Sequence, residues 1–97
     1  MGTKMIELET REDIWDALSP YAPSWIPSDF LKHLIWAKDN GNIKHVEIGS
    51  KSKWDGEIRI RLIDSANTMF VVNHFVTPSR ADEVNMVNQN TLRLWWD

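Results

Sequence analysis

The stretch Lys38-Asp39-Asn40-Gly41-Asn42-Ile43-Lys44-His45-Val46-Glu47-Ile48 decides the fold, because the period of its apolar residues changes inside it. Upstream, Phe30, Leu31, Leu34, Ile35 and Ala37 recur at helical spacing, with Lys32, His33 and Asp39 on the other side. Ser28 suits an N-cap, Asp29 falls in the first turn, and Gly41 follows the last periodic residue as a helix stop. Downstream the period becomes two, which predicts a strand over 42–48. A polar loop over 49–56 and two more alternating runs, 57–64 and 69–76, extend the sheet, with Ser65-Ala66-Asn67-Thr68 as a hairpin connection.

Working outward, Lys4 to Leu8 is a short candidate strand, and Thr10 with Asp13 resembles a capping box for a helix over 11–18. That helix places Ile14, Trp15 and Leu18 on one side. Pro20, Pro23 and Pro27 stiffen the loop that follows, because proline fixes its own φ and restricts its predecessor. Thr77-Pro78 stops the third run, Ser79 and Asp82 suggest a helix start over 80–87, and Thr91 to Trp96 alternates as a last strand. The expected order is β-α-α-β-β-β-α-β. The expected fold class is α+β, a two-layer sandwich with an antiparallel sheet of four to five strands and two to three short helices on one face. Val46, Ile48, Ile58, Ile60, Leu62, Phe70, Val72, Leu92 and Leu94 should face the helices. The open face should carry His45, Glu47, Arg59, Arg61, Asn73, Arg93 and Trp95, beside Val71 and Phe75.

Ninety-seven residues, 42% hydrophobic and 26% charged, suffice for one domain with its own core and lie outside the disordered regime. No apolar run is long enough to span a bilayer, and no signal peptide is evident, so a cytoplasmic location is expected. Met5 is a candidate native start, with residues 1–4 outside the ordered domain. The absence of cysteine excludes disulfides, thiolate metal sites and cysteine nucleophiles. No phosphate-cradling glycine loop, no GxSxG elbow and no HExxH spacing occurs, so no cofactor and no metal site are expected. His33 fits a solvated helix position, and His74 a satisfied ring near a strand end.

The net charge of −3 is uneven: residues 1–29 carry six acidic and two basic side chains, against eight acidic and nine basic in the remainder. An acidic third on a near-neutral body argues against non-specific nucleic-acid binding. Six tryptophans are the compositional outlier, and tryptophan is the residue most enriched at binding hot spots. Tyr21 and Trp25 in the proline loop and Trp95 near the C-terminus are the candidate exposed rings, since Trp95 and Trp96 must point to opposite faces. With the acidic residues Glu9, Glu12, Asp13 and Asp16, they suit contact with a basic protein partner or a second copy of the chain.

A second constellation is basic. Arg59, Arg61 and Arg93 share the open sheet face, with Lys51 and Lys53 in the adjoining loop, and arginines beside Trp95 suit single-stranded nucleic acid or a nucleotide. The competing reading pairs Arg59 and Arg61 with Glu47 and Glu57 across the strands. By element order over residues 4–84, the chain resembles the RelE/ParE toxin superfamily. That resemblance implies a ribonuclease using basic sheet residues, here Lys51, Lys53, Arg59, Arg61 and Arg80. The short first helix, the proline loop, the extra terminal strand and the acidic charge depart from that pattern.

The leading expectation is therefore a non-catalytic protein-binding domain. It would be a small inhibitor or accessory protein of a phage or mobile element that occupies a host macromolecule, with homodimerisation also expected. The alternative is a nucleic-acid or nucleotide binder, or a ribonuclease, working through Arg59, Arg61 and Arg93.

Overall fold

A computed structural model describes residues 5–51, 56–63 and 68–97, with Ser50, Lys51 and Thr68 described by backbone alone. Its strands are β1 (Ile6–Leu8), β2 (Ile43–Lys51), β3 (Gly56–Leu62), β4 (Glu83–Asn88) and β5 (Thr91–Trp96). Its helices are α1 (Arg11–Leu18), α2 (Ser28–Asp39) and a composite α3. The last joins an α turn (Thr68–Val71), a π-helical stretch (Val72–Val76) and a final α turn (Thr77–Ser79). The sheet is antiparallel throughout, in the order β1-β2-β3-β5-β4. This is an α+β sandwich with the helices on one face. No described helix is long and apolar enough to cross a membrane.

The first two helices form for the expected reasons. The Thr10 hydroxyl accepts a 3.1 Å hydrogen bond from the Asp13 N–H, and Glu12 and Asp13 lie in the positively polarised first turn of α1. Ile14 and Leu18, four residues apart, are its buried pair, whereas Trp15 points outward and is 51% exposed. In α2 the buried stripe is Phe30, Leu31, Leu34, Ile35 and Ala37. Pro27 occupies the N-cap position and Ser28 is already helical, so the helix starts one residue earlier than the sequence suggested. Gly41, at φ +72°, closes the helix: its N–H bonds to the Lys38 carbonyl and the Asn42 N–H to that of Ala37. A residue with a Cβ would meet strain in that left-handed position.

Two elements exchange places relative to the expectation. Residues 69–76 are helical, not a strand, and 83–88 form a strand where a helix over 80–87 was expected. In α3, Val71, Phe75 and Ser79 recur at a spacing of four and are all buried in the helical layer. Val71 and Phe75 therefore do not sit on the open sheet face, and Phe70 and Val72 are helix residues rather than strand residues. Ser79 ends α3 instead of starting a helix: its hydroxyl donates to the Val76 carbonyl at 2.7 Å and accepts from the Ala81 N–H at 3.2 Å. Arg80 then turns the chain through a left-handed conformation at φ 52°. Of the expected hairpin connection, residues 65–67 lie outside the described residues.

The sheet's helix-facing residues Val46, Ile48, Ile58, Ile60, Leu62, Leu92 and Leu94 are all buried. Around the end of β5 the core becomes aromatic. Trp96 lies 5.2 Å from the Trp25 ring and 5.6 Å from Phe30, and Tyr21 stacks obliquely on Trp25 at 5.2 Å. The proline loop thus folds its own aromatic residues onto the sheet, and Trp25 is only 7% exposed.

Candidate protein-binding surface

The burial of Trp25 overturns the expectation that it stands exposed beside a stiff loop. Its ring lies over Gly56, where a Cβ would collide with it, so it belongs to the core. Tyr21 is half-buried against the same core, and Trp95 is half-buried on the open sheet face. Among the described residues the exposed indoles are instead Trp15 on α1 and Trp36 on α2, at 51% and 44% exposure.

These two rings flank Ile35 on the outer surface of the helical layer. Two shallow depressions of about 400 and 340 Å³ run along them, sharing Arg11, Trp15 and Ile35. Glu12 and Asp16 border the first, while Lys32, Trp36 and Asp39 border the second. An Arg11–Asp39 ion pair at 3.4 Å ties α1 to α2, and both groups are exposed enough for water to weaken it. On its far side Trp36 stacks on His74 at 5.1 Å and 10°, and Phe70 lies 4.4 Å from the same imidazole. The His33 ring meets His74 edge-on at 5.4 Å. The Nδ1 of His74 is buried with no hydrogen-bond partner, so this ring is held by stacking and is not the satisfied histidine expected from the sequence. Met69, next to Phe70 in α3, is 66% exposed.

The four acidic residues anticipated for a partner surface, Glu9, Glu12, Asp13 and Asp16, are all exposed. Glu12 and Asp16 come together with Trp15, whereas Tyr21, Trp25 and Trp95 lie apart from that group. The sequence left Trp15 and Trp36 out of the candidate set. Trp36 does carry a signal: the α2 stripe of residues 30, 31, 34, 35 and 37 leaves position 36 facing away from the sheet.

The arginines of the open sheet face are held by ion pairs and hydrogen bonds. Glu57 pairs with Arg59 at 3.0 Å and with Arg93 at 3.1 Å. Arg93 also donates to Asn85 at 3.3 Å and passes within 6.0 Å of the Trp95 ring. Arg61 donates to the Thr91 hydroxyl at 3.1 Å. Lys53 lies outside the described residues, as does the side chain of Lys51. Arg80 lines a separate cavity of about 830 Å³ on the helix side, with Asp29, His33 and Trp96, so it does not join Arg59 and Arg61.

At the β1 end of the open face, Glu7 stands directly opposite Glu47, and His45 bonds to Glu47 at 3.1 Å. Among the described residues, Glu7, His45 and Glu47 are the group able to hold a divalent cation, their ligand atoms lying within 4.8 Å of one another. The sequence did not connect them, because the β1–β2 register that brings Glu7 to Glu47 is not legible from spacing.

No protein-family model, no curated protein and no solved structure matches the chain.

Proposed function

We propose that this chain is a non-catalytic protein-binding domain whose helical layer docks a partner around Trp15, Ile35 and Trp36. The observation that carries this reading is the half-exposure of two indoles on adjacent helices around one nearly buried isoleucine. Each ring leaves apolar area in water that a partner would cover, at roughly 25 cal/mol per Å². Glu12 and Asp16 beside Trp15 suit a partner with a basic rim. The mode of action we attach to this surface is occupation of a host macromolecule, as by a small inhibitor or accessory protein of a phage or mobile element in the cytoplasm. Small size, acidic charge and the lack of a catalytic motif in the sequence support that step by association only.

Nothing in the arrangement of Arg59, Arg61 and Arg93 favours nucleic acid over this reading, since Arg59 and Arg93 are paired with Glu57 and Arg61 donates to the Thr91 hydroxyl. A polyanion would have to displace Glu57 from two guanidinium groups.

The test is affinity capture from a plausible host with the wild type and a Trp15→Ala, Trp36→Ala double variant. One protein at near-equal stoichiometry, lost from the double variant while its thermal melt is unchanged, is the expected result. A co-purifying, nuclease-sensitive absorbance at 260 nm that disappears on Arg59→Ala, Arg61→Ala would instead sink the reading and favour a nucleic-acid binder.

A further inference from the structure

The sheet has two edges that differ. β1 is three residues long and presents Glu7 and the half-exposed Ile6. Shortness and a charge are two of the ways in which proteins blunt an edge against pairing. β4 is six residues long and exposed along its whole length, and from Val84 to Asn88 it carries no charge, no lysine and no proline; its pairing with β5 is regular from Glu83 to Met86 and shifts register only between Met86 and Asn88. Among the described residues, one rim of its main-chain groups has no neighbouring strand.

β4 also lies beyond the reach of the helices. Val84 and Met86 stand opposite Leu94 and Leu92, on the face that the helical layer covers. Leu92 and Leu94 are buried, yet Val84 is 40% and Met86 47% exposed. An apolar margin of the sandwich is left open along an unpaired edge.

We propose that this edge is a homodimer interface, in which two copies pair their β4 strands antiparallel about a two-fold axis at Asn85. The pattern of β4 is self-complementary about that residue. Val84 then faces Met86 of the second copy, and Met86 faces its Val84, which makes one apolar cluster on the helix side. On the open face Asn85 meets its own copy, amide to amide, within the regular part of the strand that runs from Glu83 to Met86. No like charges are opposed, and Arg93 lies 4.0 Å from Glu83 in each copy. The two sheets become continuous, and the main-chain groups of both edges are satisfied. This interface is separate from the Trp15–Trp36 surface and does not depend on what binds there.

Sedimentation over a wide concentration series should show a monomer–dimer equilibrium. Met86→Lys should weaken the dimer roughly tenfold or more, by opposing a buried charge to an apolar neighbour, while Met86 is exposed enough in the monomer to leave its melt unchanged. Because the chain has no cysteine, register is tested directly. Residues opposite one another in an antiparallel pair have Cα atoms about 4.5 to 5.5 Å apart, within disulfide reach. Asn85→Cys should therefore cross-link to its own copy on mild oxidation. Glu83→Cys should not, since four residues of register separate it from its copy, roughly 13 Å. A monomer at every concentration, a dimer indifferent to Met86→Lys, or cross-linking of Glu83→Cys as readily as Asn85→Cys would each overturn the proposal.

Discussion

The indole Nε1–H of Trp96 donates a 2.8 Å hydrogen bond to the main-chain carbonyl of Ser79, joining the last strand to the end of α3 seventeen residues earlier. Both residues are buried. The bond satisfies one of the carbonyls that a helix end leaves unpaired, and it fixes where α3 stops against the sheet. Trp96→Phe keeps most of the ring but orphans that carbonyl, so a loss of about 1–3 kcal/mol is expected. Trp96→Ala also empties the space between Trp25 and Phe30 and should cost about 3–5 kcal/mol. Equilibrium denaturation of the two variants measures both, and a Trp96→Phe variant as stable as the wild type would show that the hydrogen bond contributes nothing.

Glu57 holds two arginines, and its removal should show as a change of surface charge more than of stability. Its side chain is 15% exposed, while those of Arg59 and Arg93 are 33% and 22% exposed, so water screens part of the interaction. Glu57→Gln is expected to cost only about 1 kcal/mol. The same change frees two guanidinium groups on a face that also carries Arg61. Retention on a heparin column should rise for the variant, while the wild type elutes early. Strong retention of the wild type would mean that Glu57 does not quench this face.

The same face shows how far the sequence could be read. Period-two alternation placed Arg59, Arg61 and Arg93 together on the open side, because a strand's side chains alternate whatever its partners are. Pairing was harder. Which glutamate binds which arginine depends on register, and Glu57 takes Arg59 along its own strand and Arg93 diagonally across. The exchange of helix and strand after residue 68 has a different origin. Met69-Phe70-Val71-Val72-Asn73-His74-Phe75-Val76 is rich in β-formers, yet the Val71, Phe75, Ser79 spacing buries one side of a helix under tertiary contact. Glu83-Val84-Asn85-Met86 alternates as a strand, but the polar Ser79 to Asp82 stretch before it mimics a helix start. The tryptophans misled for a third reason. Ring exposure depends on what a loop folds onto, and Gly56 leaves the space that lets Trp25 sink into the core.

That space predicts the consequence of filling it. A Cβ at Gly56 would approach the Trp25 ring closer than real Cβ atoms approach anything, and the ring is wedged between Tyr21 and Trp96. It has no free direction in which to yield. Gly56→Ala should therefore destabilise by about 1–3 kcal/mol through overpacking. It should also alter the near-ultraviolet circular dichroism that coupled tryptophans produce. Pairing it with Trp25→Leu should recover part of the loss, since the double change removes the collision. Additive losses in the double variant would place the strain elsewhere.

The docking surface makes a kinetic prediction that separates its two halves. Glu12 and Asp16 lie on the rim, where charge acts mainly on encounter, whereas Trp15 and Trp36 would sit in the desolvated centre. Glu12→Gln with Asp16→Asn should lower the association rate for the captured partner and flatten its dependence on salt, because screening has less attraction to remove. Trp36→Ala should leave association nearly unchanged and speed dissociation, since a lost anchor shortens residence more than it slows encounter. Surface plasmon resonance at several ionic strengths resolves the two rates. A Trp36→Ala variant that dissociates at the wild-type rate would remove α2 from the interface and leave the acidic face of α1 to account for binding alone.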